Sequence, residues 1–197
     1  MGGRAVRNLL AASLLLALAA VSAGLGFAYS GRADVAATSP HWAMTRWVLS
    51  TAMENAVERQ ARPITPAPFL DEPARLEAGA VAYDAMCAQC HGAPGVKRGV
   101  VGEGLNPEPP DLGKSAEKWR LAEIFWITKH GIRMTGMPAF GSTHSDEELW
   151  EVVAVVKRLP DMSSAEYRRL ADTRDKRPHE HRGEHSRQRE AESNRSP

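Results

Sequence analysis

Two cysteines and a histidine stand close together at Cys87, Cys90 and His91, in the pattern C-x-x-C-H. At this spacing two thiols can add to the two vinyl groups of one haem, and the adjacent imidazole becomes an axial ligand of its iron. The chain contains 2 cysteines in all. We therefore predict a single, covalently bound haem c, with Cys87, Cys90 and His91 as its binding residues and no disulfide bond.

Two other kinds of site also use a C-x-x-C pair. A structural zinc site needs a second ligand pair at a characteristic spacing, and the sequence holds no second C-x-x-C. A thiol-redox pair of the thioredoxin type lies in a βαβ context, and no alternating β-run flanks Cys87. These absences favour haem attachment over both alternatives.

The sixth iron ligand is expected from the segment G-I-R-M-T-G-M-P-A-F at positions 131–140. We choose Met137, because Gly136 and Pro138 favour an extended turn around it and Phe140 can shield its sulfur. His130 and His144 are the competing ligands, but we interpret each of them as an ordinary polar histidine near a helix end. Met134 and Met162 are expected to fill gaps in the core. A His/Met pair closes both axial positions, which favours electron transfer over oxygen chemistry.

Three helices are predicted to hold these residues. They run from Pro73 to Met86, from Ser115 to His130 with Gly131 following, and from Ser145 to Leu159 with Pro160 as the stop. Ser145 and Glu148 form a capping box. Gly79 lies mid-helix, where glycine costs about 1 kcal/mol relative to alanine, so we predict a close helix contact there, with Trp150 meeting Gly79 or Tyr83.

Glycine and proline dominate the segment from Gly92 to Pro110, which excludes a long regular element. Such a loop can wrap a flat cofactor. We predict that one carbonyl between Asn106 and Pro110 accepts the Nδ1–H of His91 and orients the imidazole.

Taken together, C-A-Q-C-H, a Gly/Pro-rich loop containing P-P-D-L, G-M-P-A-F and a terminal helix resemble a class I cytochrome c, in particular the membrane-anchored monohaem forms of bacteria. The resemblance covers Leu76 to Leu170. It implies an all-α fold, the small class I cytochrome c fold wrapped around one covalently bound haem, here with an N-terminal transmembrane helix. It also implies that the N- and C-terminal helices cross near Gly79, Tyr83 and Trp150.

The N-terminal stretch from Leu9 to Tyr29 is apolar and uncharged, and it is long enough for one bilayer crossing. Arg4 and Arg7 precede it, so the positive-inside rule predicts a single-pass protein of the bacterial cytoplasmic membrane with its haem domain in the periplasm. A cleaved signal peptide is the alternative, with Val21-Ser22-Ala23 as the cleavage site. We favour an uncleaved anchor because the apolar run continues to Ala28.

These features divide the chain into four predicted parts. An anchor (1–29) is followed by a juxtamembrane helix from Pro40 to Arg62 and a Pro-rich linker (30–72), the haem domain (73–170) and a disordered charged tail (171–197). We interpret the juxtamembrane helix mainly as an amphipathic spacer that lies on the membrane or packs on the haem domain. The tail histidines His179, His181 and His185 are expected to be solvated rather than metal-bound.

The predicted function is one-electron transfer by iron that cycles between Fe(III) and Fe(II), in an electron carrier rather than an enzyme. Its expected partners are redox proteins of a respiratory chain and the lipid bilayer, and the formal net charge of +1 gives no reason to expect nucleic-acid binding. One alternative is a haem-carrying subunit of a membrane respiratory oxidase or dehydrogenase complex. Another is a haem sensor or peroxidase with an open iron site. The oligomeric state is not set by the sequence.

Overall fold

The computed structural model describes residues 2–172 and divides the chain after Ser39 into two compact units. The first unit contains helix α1 (Gly2–Tyr29), whose mean hydropathy reaches 2.2 over an 18-residue window. At 28 residues it exceeds the roughly 20 residues needed to cross a bilayer. The N-terminal apolar segment is therefore a helix long and apolar enough to span a membrane.

The second unit, which begins at Pro40, is helical, and residues 2–172 contain no β-strand beyond a single bridge between Ala93 and Val96. Its α-helices are α2 (Ala43–Ala61), α3 (Pro73–Met86), α4 (Ala88–His91), α5 (Val100–Glu103), α6 (Leu112–Ser115), α7 (Leu121–His130), α8 (Asp146–Arg158) and α9 (Ser164–Ala171). Short 3-10 turns cover 116–118, 140–142 and 159–161. The architecture is that of a small all-α cytochrome c fold.

Helices α3 and α8 pack tightly against each other at Gly79. A Cβ atom built on Gly79 would lie 2.0 Å from the backbone oxygen of Glu151, so only a residue without a side chain fits there. The predicted close contact at Gly79 is present, and the Glu151 backbone forms it. Glu151 meets Gly79, whereas the Trp150 ring stacks on Phe125 with ring centroids 4.2 Å apart.

The second predicted helix begins later than expected. Instead of a continuous helix from Ser115, the chain forms α6 and a 3-10 turn, and α7 starts at Leu121. A tertiary contact stabilises the break, because the Lys157 ammonium donates to the carbonyl oxygen of Trp119 at 2.9 Å. The new N-terminus is capped where the Glu123 carboxylate accepts from the Arg120 amide at 2.7 Å.

Helix α8 follows its prediction closely. The Ser145 hydroxyl accepts from the Glu148 amide at 3.3 Å, and the Glu148 carboxylate accepts from the Ser145 amide at 2.8 Å. Both halves of the predicted capping box are thus formed. Pro160 lies in the 3-10 turn that ends the helix.

Helix α9 was not predicted from the sequence. The Ser163 hydroxyl caps it by accepting from the Glu166 amide at 3.2 Å, and it buries Tyr167 and Leu170. The Tyr167 hydroxyl donates to Asp84 of α3 at 3.1 Å. The first residue of the predicted tail, Ala171, is the last residue of this helix, and the prediction for 173–197, including the tail histidines, falls outside the described residues.

The segment predicted as spacer and linker is part of the helical unit. Helix α2 packs against α7 and buries Val57 and Ala61. Leu70 belongs to the core, and the Arg158 guanidinium donates to its carbonyl oxygen at 3.0 Å. Of the two placements considered for the juxtamembrane helix, packing on the domain is the one observed for its C-terminal half.

We predict that Gly79→Ala destabilises the protein even though alanine is the better helix former. The added methyl would overlap the Glu151 backbone and force α3 and α8 apart, and overpacking of this kind costs about 1–3 kcal/mol. Thermal or denaturant unfolding measures the loss. The matched control is Gly104→Ala, where a Cβ meets its nearest neighbour at an ordinary 3.5 Å. Equal stability of the two variants would contradict the proposed role of Gly79.

Candidate functional site

Cys87, Cys90 and His91 lie on one short helical turn at the end of α3. The Cys87 amide donates to the carbonyl oxygen of Tyr83 at 2.8 Å, and the His91 amide donates to the carbonyl oxygen of Cys87 at 2.9 Å. Both thiols are free, with Cys87 buried and Cys90 half-buried. The turn therefore presents two thiols and an imidazole from five consecutive positions.

The environment of Cys87 keeps its thiol protonated. Burial, with a smaller contribution from Cys90, raises the pKa of Cys87 to about 12. Thiol–disulfide exchange requires a thiolate, and redox cysteines usually have lowered pKa values and solvent access. A buried, protonated thiol is unlike the low-pKa, solvent-accessible thiols of redox pairs.

The His91 imidazole is fixed by the loop that follows it. Its Nδ1 lies 2.8 Å from the carbonyl oxygen of Pro110. A carbonyl only accepts, so Nδ1 carries the proton and the lone pair is on Nε2. Burial lowers the pKa of His91, so the ring is neutral near pH 7. The hydrogen bond predicted for one carbonyl between Asn106 and Pro110 is present, and Pro110 provides it.

Gly92, directly after His91, has a backbone conformation that favours glycine. Its φ is 69° and its ψ −174°, a region that is essentially glycine-only. The buried Tyr83 hydroxyl donates to its carbonyl oxygen at 2.7 Å. Burial raises the pKa of Tyr83, so the hydroxyl remains a donor. This bond ties the end of the C-x-x-C-H turn to α3, and sequence reasoning did not identify it.

The loop that carries Met137 begins in the same unusual way. Gly131 ends α7 with φ 64° and ψ −171°, and the Ile132 amide donates to the carbonyl oxygen of Met137 at 3.3 Å. The Thr135 hydroxyl accepts from the Met137 amide at 3.1 Å and donates to the carbonyl oxygen of Ile132 at 2.7 Å. These two hydrogen bonds of Thr135 were not predicted, because nothing in the sequence beyond its position next to Gly136 pointed to this residue.

The Met137 loop contacts the loop that follows His91. A Cβ built on Gly136 would lie 2.6 Å from the Leu105 side chain, so the backbone beside Met137 packs against the segment that leads to Pro110. The two loops that carry the predicted ligand residues and their hydrogen-bond partners therefore meet at Leu105 and Gly136.

Comparison with known proteins agrees with this geometry. Residues 74–155 match the family model described as Cytochrome C oxidase, cbb3-type, subunit III. This part of the chain is a c-type cytochrome domain. Its cofactor is haem c, and its chemistry is electron transfer.

A curated relative of the cytochrome domain is the quinohemoprotein alcohol dehydrogenase ADH-IIG of Pseudomonas putida. It is 34% identical over 109 residues, which make up 53% of this chain and 14% of the relative. The chain thus matches only a small part of the dehydrogenase.

The donor atoms of the cytochrome domain fit a c-type haem. Two free thiols at the required spacing can hold the vinyl groups, and a neutral imidazole with Nε2 available can bind iron. No cluster of three or more His, Cys, Asp or Glu residues that could hold a metal ion occurs in the described part of the chain. Within residues 2–172, the thiols of Cys87 and Cys90 therefore do not belong to a cluster of that kind.

The other ligand candidates are engaged differently. The exposed His130 ring lies 5.0 Å from the Trp126 ring. The Nδ1 atom of His144 is 2.9 Å from the Thr143 hydroxyl.

The two methionines that were predicted to fill gaps in the core differ from each other. Met162 is buried in the core, as predicted. The expectation for Met134 is wrong, because this residue is 88% exposed with φ 64°, at a turn that carries it away from the core.

We predict that Gly131→Ala disturbs the Met137 loop. Alanine at this φ and ψ costs about 1–3 kcal/mol in backbone strain, and its Cβ would also lie 2.7 Å from the carbonyl oxygen of Met137. The free energy of unfolding should fall, and limited proteolysis should cleave the loop faster. Gly99→Ala is the control, since its backbone is extended with φ −84°. The role of Gly131 is refuted if both variants retain the parent's stability and cleavage rate.

Proposed function

We propose that this protein is a membrane-tethered monohaem electron carrier in which His91 and Met137 are the axial ligands of one haem c. The haem supplies iron that cycles between Fe(III) and Fe(II). Cys87 and Cys90 hold it covalently, and the chain contributes no catalytic residue. A thioether opposite an imidazole favours ferrous iron, so the His/Met pair should raise the reduction potential relative to a bis-histidine pair.

The observation that carries this proposal is the hydrogen bond from His91 Nδ1 to the carbonyl oxygen of Pro110, 2.8 Å long. It selects the tautomer, sets the direction of the ring and increases the basicity of Nε2, as the outer partners of ligating histidines commonly do. A ring held in this way need not reorient when iron changes its charge. The site is therefore suited to repeated one-electron steps.

The Met137 loop supports the same proposal from the other side. Both the amide and the carbonyl oxygen of Met137 are hydrogen-bonded, to Thr135 and Ile132 respectively. Fixed backbone on both sides of the residue limits the positions open to its sulfur. With both axial positions filled by protein, a peroxidase or sensor reaction would find no open site.

The membrane helix supports a location on the exported side. Arg4 and Arg7 precede the uncharged part of α1, which favours a cytoplasmic N-terminus and a periplasmic cytochrome domain. Haem is attached to c-type cytochromes on that side. A tethered carrier would meet respiratory redox partners in the plane of the membrane, through the small and short-lived interfaces typical of electron transfer.

Replacing each loop methionine separately tests the ligand assignment. Met137→Ala should abolish the near-infrared charge-transfer band of methionine–ferric haem, lower the reduction potential and open the ferrous iron to carbon monoxide. Met134 is exposed and lies three residues before Met137, so Met134→Ala should leave all three properties unchanged. The proposal fails if Met137→Ala keeps the band, or if the parent protein already binds carbon monoxide.

A haem-carrying subunit of a larger oxidoreductase is the second candidate. The matched family model is described as subunit III of a cbb3-type cytochrome c oxidase, and the curated relative contains its similar segment within a dehydrogenase. Both descriptions name oxidoreductases, which supports this second candidate. In this reading the chain would deliver electrons within one complex rather than between complexes.

Extraction from native membranes in a mild detergent separates the two candidates. A free carrier should migrate as a small haem-staining species without catalytic subunits. A subunit should co-migrate with haem, flavin or quinone-cofactor proteins in a stoichiometric complex that survives size exclusion. Stripping the complex with a harsher detergent should then release the cytochrome and serves as the control.

A further inference from the structure

The N-cap residue Trp42 and the first two turns of α2 form an exposed apolar collar, which we define as Trp42–Leu49. Trp42 is 85% exposed and Trp47 is 67% exposed. Met44, Val48 and Leu49 are exposed as well. Large apolar side chains gathered in this way are unusual on a soluble surface and mark a site of contact.

The collar is wider than one face of the helix. At 100° per residue, Met44 and Val48 lie about 40° apart, Trp47 lies about 60° before Met44, and Leu49 lies about 100° beyond Val48, so these side chains cover about 200° of the circumference. Trp42, the N-cap residue, adds an indole at the end of the helix. The C-terminal half of α2 is different, because Val57 and Ala61 are buried and Glu54 pairs with Lys118 at 3.0 Å. One end of the helix is thus fixed to the cytochrome domain, and the other end is exposed on every side and apolar over about half of its circumference.

This distribution favours a lipid surface as the occupant. A protein groove covers one face of a helix and would leave part of the collar in water. Lipid can surround a helix end completely. Tryptophan is enriched where a bilayer meets water, since its ring is apolar and its N–H is polar, and Arg46 is long enough to keep its charge in water while its stem lies among apolar groups.

The chain also places the collar within reach of a bilayer. Residues 30–41 join the apolar helix α1 to Trp42, and twelve extended residues span at most about 43 Å. A collar that follows a membrane helix so closely encounters lipid at high local concentration.

We propose that the Trp42–Leu49 collar inserts into the headgroup region of the bilayer as a second membrane contact, in addition to α1. Because α2 also packs on α7, this contact would fix the orientation of the cytochrome domain at the membrane surface. The proposal does not depend on the axial ligands or on the identity of the redox partners.

Tryptophan quenching by brominated phosphatidylcholine tests the collar. The full, haem-loaded chain would be reconstituted in vesicles of this lipid brominated near the top of the acyl chains. We expect Trp42 and Trp47 to lose most of their emission relative to vesicles without bromine. Trp42→Phe/Trp47→Phe identifies their contribution, and the bromine-dependent loss should be largely absent in this variant.

A second variant separates insertion from mere proximity. Met44→Ser/Val48→Ser/Leu49→Ser should restore much of the emission and shift it to longer wavelength, because the collar can no longer remain in lipid. Val100→Ser, at the exposed start of α5 in the same unit, is the matched control and should leave the quenching unchanged. Two outcomes overturn the proposal. In the first, bromine-dependent quenching is equal in the parent and in Trp42→Phe/Trp47→Phe. In the second, the emission of the collar tryptophans does not depend on bromine, and crosslinking shows that a second copy of the chain covers them.

Discussion

The contact between Gly79 and the Glu151 backbone is the constraint on which the cytochrome domain depends. It brings α3 and α8 to backbone contact, and these two helices adjoin the two segments that carry the predicted iron ligands. Helix α3 leads directly into Cys87, and α8 begins soon after the Met137 loop. A displacement at the crossing would therefore change the separation of both segments at once.

Charge reinforces the crossing at its edge. The Arg75 guanidinium contacts Glu147 and lies 2.8 Å from the Glu151 carboxylate, while its Cζ lies over the Phe69 ring, 4.8 Å from the ring centroid. Glu151 is buried, so its carboxylate requires this partner. The residue that meets Gly79 with its backbone thus binds α3 a second time with its side chain.

The sequence predicts those elements whose signals are local. Pro73 and the Ser145–Glu148 capping box mark helix starts that need only neighbouring residues, and both starts agree with the structure. The start of α7 could not be predicted in this way, because the break before it is stabilised by Lys157, which lies far along the chain. Helix α9 was not predicted because most of its residues are charged or polar. Its two apolar residues, Tyr167 and Leu170, become anchors only through their packing against α3 and the core.

In the candidate site, residue types indicated Met137 over Met134, whereas the positive φ and the exposure of Met134 became visible only in three dimensions. The roles of Cys87, Cys90, His91 and Met137 as haem-binding residues stay predictions.

Helix α9 is also the last of the described elements to be synthesised, and this gives the fold an order in time. A Cβ atom on Gly95, four residues after His91, would touch the Ser164 side chain at the start of α9. A nascent chain that has not yet reached Ser164 lacks this cover, although Cys87 and Cys90 have already been made. The growing polypeptide therefore passes through an interval in which both thiols exist and the helix that closes over the following loop does not. The C-x-x-C-H turn is therefore complete in the chain before the helix that covers its following loop exists.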